Sequence, residues 1–129
     1  MPDTQDFETK DSAAKGMAAT GAGPEGRWVY LCDAAALDGM DGLRVVVDDH
    51  ALAVFKVDDR FYVTDDTCTH GAASLADGLM HGCEVECPFH GGRFDVRTGA
   101  ATAFPCVDDL ATYQAEVRGS AVYARVNAP

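Results

Sequence analysis

From Arg27 onward, apolar and polar residues alternate in short runs separated by turn formers, a period-two pattern that predicts strands rather than helices. "RWVYL" at 27–31 opens the series. "LRVVVD" at 43–48 and "ALAVFKV" at 51–57 are rich in β-branched residues, and Asp48, Asp49 and His50 predict the turn between them. "RFYVT" at 60–64 follows after only Asp58 and Asp59, a spacing that suits a tight hairpin. Near the end, "TYQAEV" and "AVYARV" flank Arg118-Gly119-Ser120, with Val117, Val122 and Val126 expected in the core. "DAAALDG" at 33–39 fits either one helical turn or a loop packed by Leu37. Strand pairs thus flank residues 65–110, where Gly and Pro are expected to interrupt any regular element. The simplest fold class is all-β: an antiparallel β-sandwich with an inserted loop-rich region.

Residues 1–26 break the pattern. Met1, Phe7 and Met17 are the large apolar groups there, too few to offset the entropy of ordering, so a flexible tail is expected ahead of one domain over 27–126. Gly21, Gly23 and Gly26 have the spacing of a dinucleotide fingerprint, but that motif needs a strand before it and a helix after it. Here a polar tail precedes it, Pro24 interrupts it and a strand follows, so it is rejected.

Charge narrows the function classes. The chain of 129 residues has a net charge of −11, which argues against nucleic acid and favours basic protein surfaces as partners. Apolar runs are too short to span a membrane, and the N-terminus lacks the apolar stretch of a secretory signal. The expected location is the cytoplasm, where the five cysteines stay reduced and read as ligands or buried thiols rather than disulfides.

The insert concentrates the soft ligands. "CTHGAASLADGLMHGCEVECPFHGG" at 68–92 holds three of the five cysteines and three of the four histidines. Cys68-Thr-His70 and Cys87-Pro-Phe-His90 form two arms, each offering one thiolate and one imidazole beside turn formers. Such a set suits either one tetrahedral zinc or a two-iron, two-sulfide cluster. Zinc fingers commonly pair Cys with Cys and His with His; a Cys-x-His arm opposing a Cys-x-x-His arm is the Rieske pattern, and ligand order favours it. The bland positions are His50, read as an exposed turn residue with no partner ligand nearby, His81, read as surface loop, and Cys32, Cys83 and Cys106, read as half-buried free thiols. Trp28, Phe55, Phe61 and Tyr62 read as core.

Over about residues 27–126 the sequence resembles the Rieske ferredoxins of bacterial aromatic-ring-hydroxylating dioxygenase systems. The likeness runs through "TCTHG", "SLADG", "VECPFHGGRFDVRTG", Pro105 and Tyr113. It implies a Rieske-type antiparallel β-sandwich with a cluster-binding subdomain at about 65–110, and one [2Fe–2S] cluster per chain. The implied ligands are Cys68 and Cys87 on a buried iron, with His70 and His90 on an outer iron partly covered by a third loop at Phe104-Pro105. The implied role is electron transport without substrate chemistry, from a flavoprotein ferredoxin reductase using NAD(P)H to a terminal Rieske oxygenase of aromatic hydrocarbon catabolism. A monomer is expected, with neither nucleic acid nor membrane as partner. The small subunit of an assimilatory nitrite reductase and a zinc-stabilised binding module are the alternatives.

Respiratory members of the wider family carry bridging cysteines where this chain has Ala73 and Phe89, and hydroxyl donors where it has Gly92 and Phe94. Hydrogen bonds to sulfur favour the reduced cluster, so their loss implies a potential near the low end of the Rieske range. On this reading, Gly92→Ser with Phe94→Tyr would install donors and raise it.

Overall fold

The computed structural model describes residues 26–126 apart from His90. Residues 1–25 of the predicted tail, and the candidate ligand His90, therefore lie outside the described residues. Every strand pairing in the described chain is antiparallel, in three small sheets. Strand β1 (Arg27–Asp33) pairs with β11 (Ala121–Val126), which also carries β10 (Ala115–Arg118). The second sheet runs β2 (Gly42–Val47), β3 (His50–Val57), β4 (Arg60–Asp65) and β9 (Thr112–Tyr113).

The hairpins form where the sequence places them, and the turn residues explain why. Asp48 and Asp49 both have positive φ and occupy the two-residue β2–β3 turn, a conformation in which short polar side chains are tolerated. Asp58, also at positive φ, opens the β3–β4 turn. The turn after β2 is one residue shorter than expected, so His50 begins β3 instead of closing the turn. Leu37 is buried at the end of a single 3-10 turn, Ala34–Leu37, which settles the helical alternative for 33–39.

Strand β3 is the keel of the molecule. Successive side chains of a strand point to opposite faces, and "ALAVFKV" is apolar on both. Leu52 and Val54 enter a core with Leu31, Cys32, Leu37, Val63, Val122, Ala124 and Val126, between the first two sheets. Ala53 and Phe55 enter a second core on the other side, with Cys68, Leu75, Val85, Cys87, Phe94 and Cys106 among its members. Cys68 and Cys87 thus rest on the back of the strand that centres the scaffold.

Several expectations fail here. Residues 65–110 are not irregular throughout: a 3-10 turn at Leu75–Asp77 leads into a four-stranded sheet of β5 (Leu79–His81), β6 (Glu84–Glu86), β7 (Arg93–Asp95) and β8 (Ala101–Ala103). At three residues each, these strands are too short to show a period. Val117 is 46% exposed although its cross-strand partner Val122 is fully buried, because β10 is an outer strand with a neighbour on one side only. The predicted "TYQAEV" strand also splits at Gln114: Tyr113 pairs with Val63 of β4, whereas Ala115 pairs with Ala124 of β11. Of the four aromatic residues expected in the core, Trp28 and Phe55 are buried, while Phe61 and Tyr62 are partly so and pack against the two cores.

Candidate metal centre

The first candidate arm leaves β4 at Asp66, a carboxylate 2% exposed. Asp66 accepts hydrogen bonds from Ser74 Oγ at 2.9 Å and the Ala76 N–H at 3.0 Å, and pairs with Arg44 Nε at 3.3 Å. A buried carboxylate with three donors fixes the two ends of the loop, 66 and 74–76, against each other. Within that frame Cys68 N–H donates to Ala73 O at 3.0 Å and Gly71 N–H to Cys68 O at 3.3 Å. The reversal turns the His70 N–H onto Cys68 Sγ at 3.4 Å. Cys68 is 3% exposed, while His70 is exposed.

The second arm is the loop between β6 and β7. Cys87 N–H donates to Gly92 O at 2.7 Å and Gly91 N–H to Cys87 O at 3.2 Å, closing a narrow loop around residues 88–91. Cys87 is 2% exposed and Phe89 is exposed. A third segment, 104–110, crosses beside the first: Thr69 Oγ1 donates to Asp108 O at 2.7 Å, and the Phe104–Pro105 peptide bond is cis. Phe104 is 85% exposed and Val107 is exposed too, so these two and Phe89 leave apolar surface on the loops around the site.

The structure brings Cys106 to the site, which the sequence reading leaves among the bland thiols. It is buried in the same core as Cys68 and Cys87, with its Sγ 3.7 Å from Cys68 Sγ. Burial, and then the Cys68 sulfur, push its thiol up to about 12. The available signal was its place directly after Pro105 of the third loop. Asp66 and Thr69, which hold the first arm, also escape a sequence reading, because their partners become neighbours only on folding.

Gly92 requires a correction. A Cβ there would overlap Cys106 Sγ and stand 3.0 Å from both Cys106 Cβ and Cys106 N. A serine at 92 therefore has no room while Cys106 is in place, and Phe94 is fully buried. The expectation that Gly92→Ser with Phe94→Tyr simply adds donors is withdrawn on steric grounds.

The other bland positions gain detail. His50 is exposed as expected and joins a hydrogen-bonded group: its Nε2 lies 2.7 Å from Asp65 Oδ1 and 3.3 Å from Tyr113 Oη, and Tyr113 donates to Asp65 at 2.6 Å. Burial, and then Asp65, raise the Tyr113 phenol above its usual range. His81 lies in β5 rather than a loop, 2.7 Å from Glu86 Oε1. Cys32 is buried in the scaffold core, where burial raises its thiol, and Cys83 sits half-buried in the β5–β6 turn.

The donor set fits a two-iron cluster with ends of opposite character. Two thiols share a buried core lined by Phe94 and Leu75, and an imidazole from the first arm stands outside it. The backbone N–H aimed at Cys68 Sγ is a donor that suits a thiolate. Among the described residues no three His, Cys, Asp or Glu side chains converge on a single ion.

Known proteins bear on this arrangement. The Rieske [2Fe-2S] domain family matches residues 27–114. Ferredoxin CarAc of Metapseudomonas resinovorans is 44% identical over 97 residues, covering 74% of this chain and 91% of that protein. The ferredoxin component of a Pseudomonas aeruginosa naphthalene 1,2-dioxygenase system is 42% identical over 96 residues, covering 74% and 92%. Among solved structures, a complex of reduced oxygenase and oxidized ferredoxin in carbazole 1,9a-dioxygenase contains a chain that superposes with a TM-score of 0.72 at 42% identity, covering 79% of this chain and 95% of that one. A Mycobacterium tuberculosis chain assigned as the small subunit of an NADH-dependent nitrite reductase gives 0.68 at 21% identity, which shows a shared fold and no more. Fold, donor set and relatives agree: this chain belongs to the Rieske [2Fe–2S] family, with a Rieske-type cluster as its cofactor.

Proposed function

We propose that this protein is a cytoplasmic, monomeric one-electron carrier that takes electrons from an NAD(P)H-dependent flavoprotein reductase and delivers them to the terminal oxygenase of an aromatic-ring-hydroxylating system. The observation that carries the reading is the polarity of the centre: Cys68 and Cys87 are buried, and His70 faces outward. Cys68 and Cys87 would hold the inner iron, and His70 with His90 the outer one. When bound, the cluster supplies reversible one-electron chemistry. The chain's own residues supply the rest. His70 carries the path to the surface, while Phe89, Phe104 and Val107 offer apolar area that excludes water when a partner covers the tip. Ferredoxin components of dioxygenase systems among the relatives support this role over catalysis.

The net charge of −11 adds an expectation about rate. Attraction between exposed charges fades as the screening length falls from about 10 Å at 0.1 M salt to about 3 Å at 1 M. Reduction by a basic-faced flavoprotein reductase, followed by stopped-flow bleaching of the visible spectrum, slows steeply over that range. A rate independent of salt overturns the steering argument. Failure to pass electrons between any such reductase and oxygenase overturns the carrier function.

A further inference from the structure

We propose that the Cys106 thiol is a hydrogen-bond donor aimed at the buried ligand Cys68, filling the space that a side chain on residue 92 would otherwise enter. The proposal rests on the reading of Cys68 as a cluster ligand. The two sulfurs are 3.7 Å apart, within reach of a thiol proton, and both side chains are almost wholly buried, so water does not compete for that proton. Position 106 is held by its own N–H, which donates to Ala103 O at 3.1 Å, and the same third loop is tied to the first arm through Thr69 and Asp108. These bonds fix the backbone at 106 beside the first arm.

Gly92 supplies the second observation. Its missing Cβ is the space that Cys106 Sγ occupies, since a Cβ would meet the sulfur and lie 3.0 Å from Cys106 Cβ and Cys106 N. Residue 92 closes the second arm by accepting from Cys87 N–H at 2.7 Å. Glycine at 92 and cysteine at 106 are therefore sterically linked: one vacates what the other fills. An S–H is a weak donor. The partner, a metal-bound thiolate, is charged, and a charged acceptor strengthens the bond. A donor to a ligand sulfur offsets negative charge there, so it eases the uptake of an electron. Cys106 acts through Cys68 and is a positioning and tuning residue. It touches no partner's substrate.

The test compares Cys106→Ala and Cys106→Ser in the cluster-loaded full chain. Four readouts are taken: iron and sulfide content, visible spectrum, reduction potential, and the shift of iron–sulfur stretching bands on transfer to heavy water. Cys106→Ala retains the cluster but makes reduction about tenfold less favourable, which is 59 mV for a one-electron couple. It also loses part of the heavy-water shift. Cys106→Ser, which keeps a donor of similar size, restores both to wild-type values or beyond. Unchanged potentials in both variants overturn the proposal, and so does an equal fall in both, which would mean packing alone. Loss of the cluster in both overturns it too, because Cys106 would then be a ligand or a structural residue. Cys68→Ala is the separate control: if the spectrum survives that change, the ligand reading fails, whatever Cys106 does.

Discussion

Replacing His70 with Ala yields a protein without the native cluster: its reddish-brown colour is lost, and iron and acid-labile sulfide fall far below two each per chain. Cys87→Ser behaves alike, and the same result is expected for His90→Ala from its matching position in the family motif. The physical reason is that the arms are short loops held by a few backbone hydrogen bonds, such as Cys68 N–H to Ala73 O and Cys87 N–H to Gly92 O. No disulfide clamps them, since none of the five cysteines is bridged to another. Cluster binding therefore contributes directly to the folding of the subdomain. The loss should remain local. The core that contains Leu52, Val54, Val122 and Ala124 includes no candidate ligand and persists when the other core loosens. Hydrogen exchange is expected to rise across 65–110 while β1, β3 and β11 stay protected. A His70→Ala protein with an unchanged visible spectrum would contradict the ligand assignment.

The second large effect is expected at Gly99, in the "RTG" stretch of the family likeness. Its φ is +83°, and a Cβ there would overlap the carbonyl oxygen of Leu110 and stand 3.0 Å from Thr112 Cγ2. Leu110 N–H donates to Gly99 O at 2.7 Å, so the two backbones are locked side by side. Gly99→Ala adds the left-handed penalty, about 1–3 kcal/mol, to overpacking, about 1–3 kcal/mol. The sum is about 2–6 kcal/mol, a large part of a small domain's stability. Gly119→Ala is the internal comparison: its φ is +61°, but nothing lies within 4 Å of its Cβ position. There the cost is the conformational term alone, about 1–2 kcal/mol. Urea midpoints of the two cluster-loaded variants check the contrast. Equal shifts would mean that the Leu110 contact gives way freely, and that the third loop is not held by it.

How much of this was legible in the sequence depends on the range over which each signal acts. Hairpins rest on adjacent residues, so "VVVDDHALAV" and "VDDRF" predict their own turns, with a one-residue error at His50. The ligand arms are equally local, with two residues between Cys87 and His90 and glycines beside them. Ligand order favoured iron over zinc, and family likeness then pointed to the same cofactor. The β-branched residues of β3 marked a strand, although nothing in them was read as the two cores it enters on opposite faces.

What escaped depends on distant closure. The β5–β8 sheet is made of three-residue strands that need one another to exist, and no alternation can be read from three positions. His50 looked solitary because Asp65 and Tyr113 reach it only through the pairing of β3 with β4 and of β4 with β9. Val117 carried a core-like pattern, yet strand order decides burial, and β10 lies at an edge. Cys106 is the instructive miss. Thirty-eight positions separate it from Cys68, and only the crossing of the third loop over the first arm, pinned by Thr69 and Asp108, brings the sulfurs together.

Two imidazoles and two thiolates are expected to share one two-iron cluster, with the histidines on the iron that receives the electron. Pulsed electron paramagnetic resonance of the reduced protein, produced with nitrogen-15 histidine, reads this directly. Strong hyperfine coupling from two histidine nitrogens is expected, in a protein holding two irons and two sulfides per chain. A reduced cluster without coupling to any histidine nitrogen, or a chain holding one zinc and no sulfide, would contradict it.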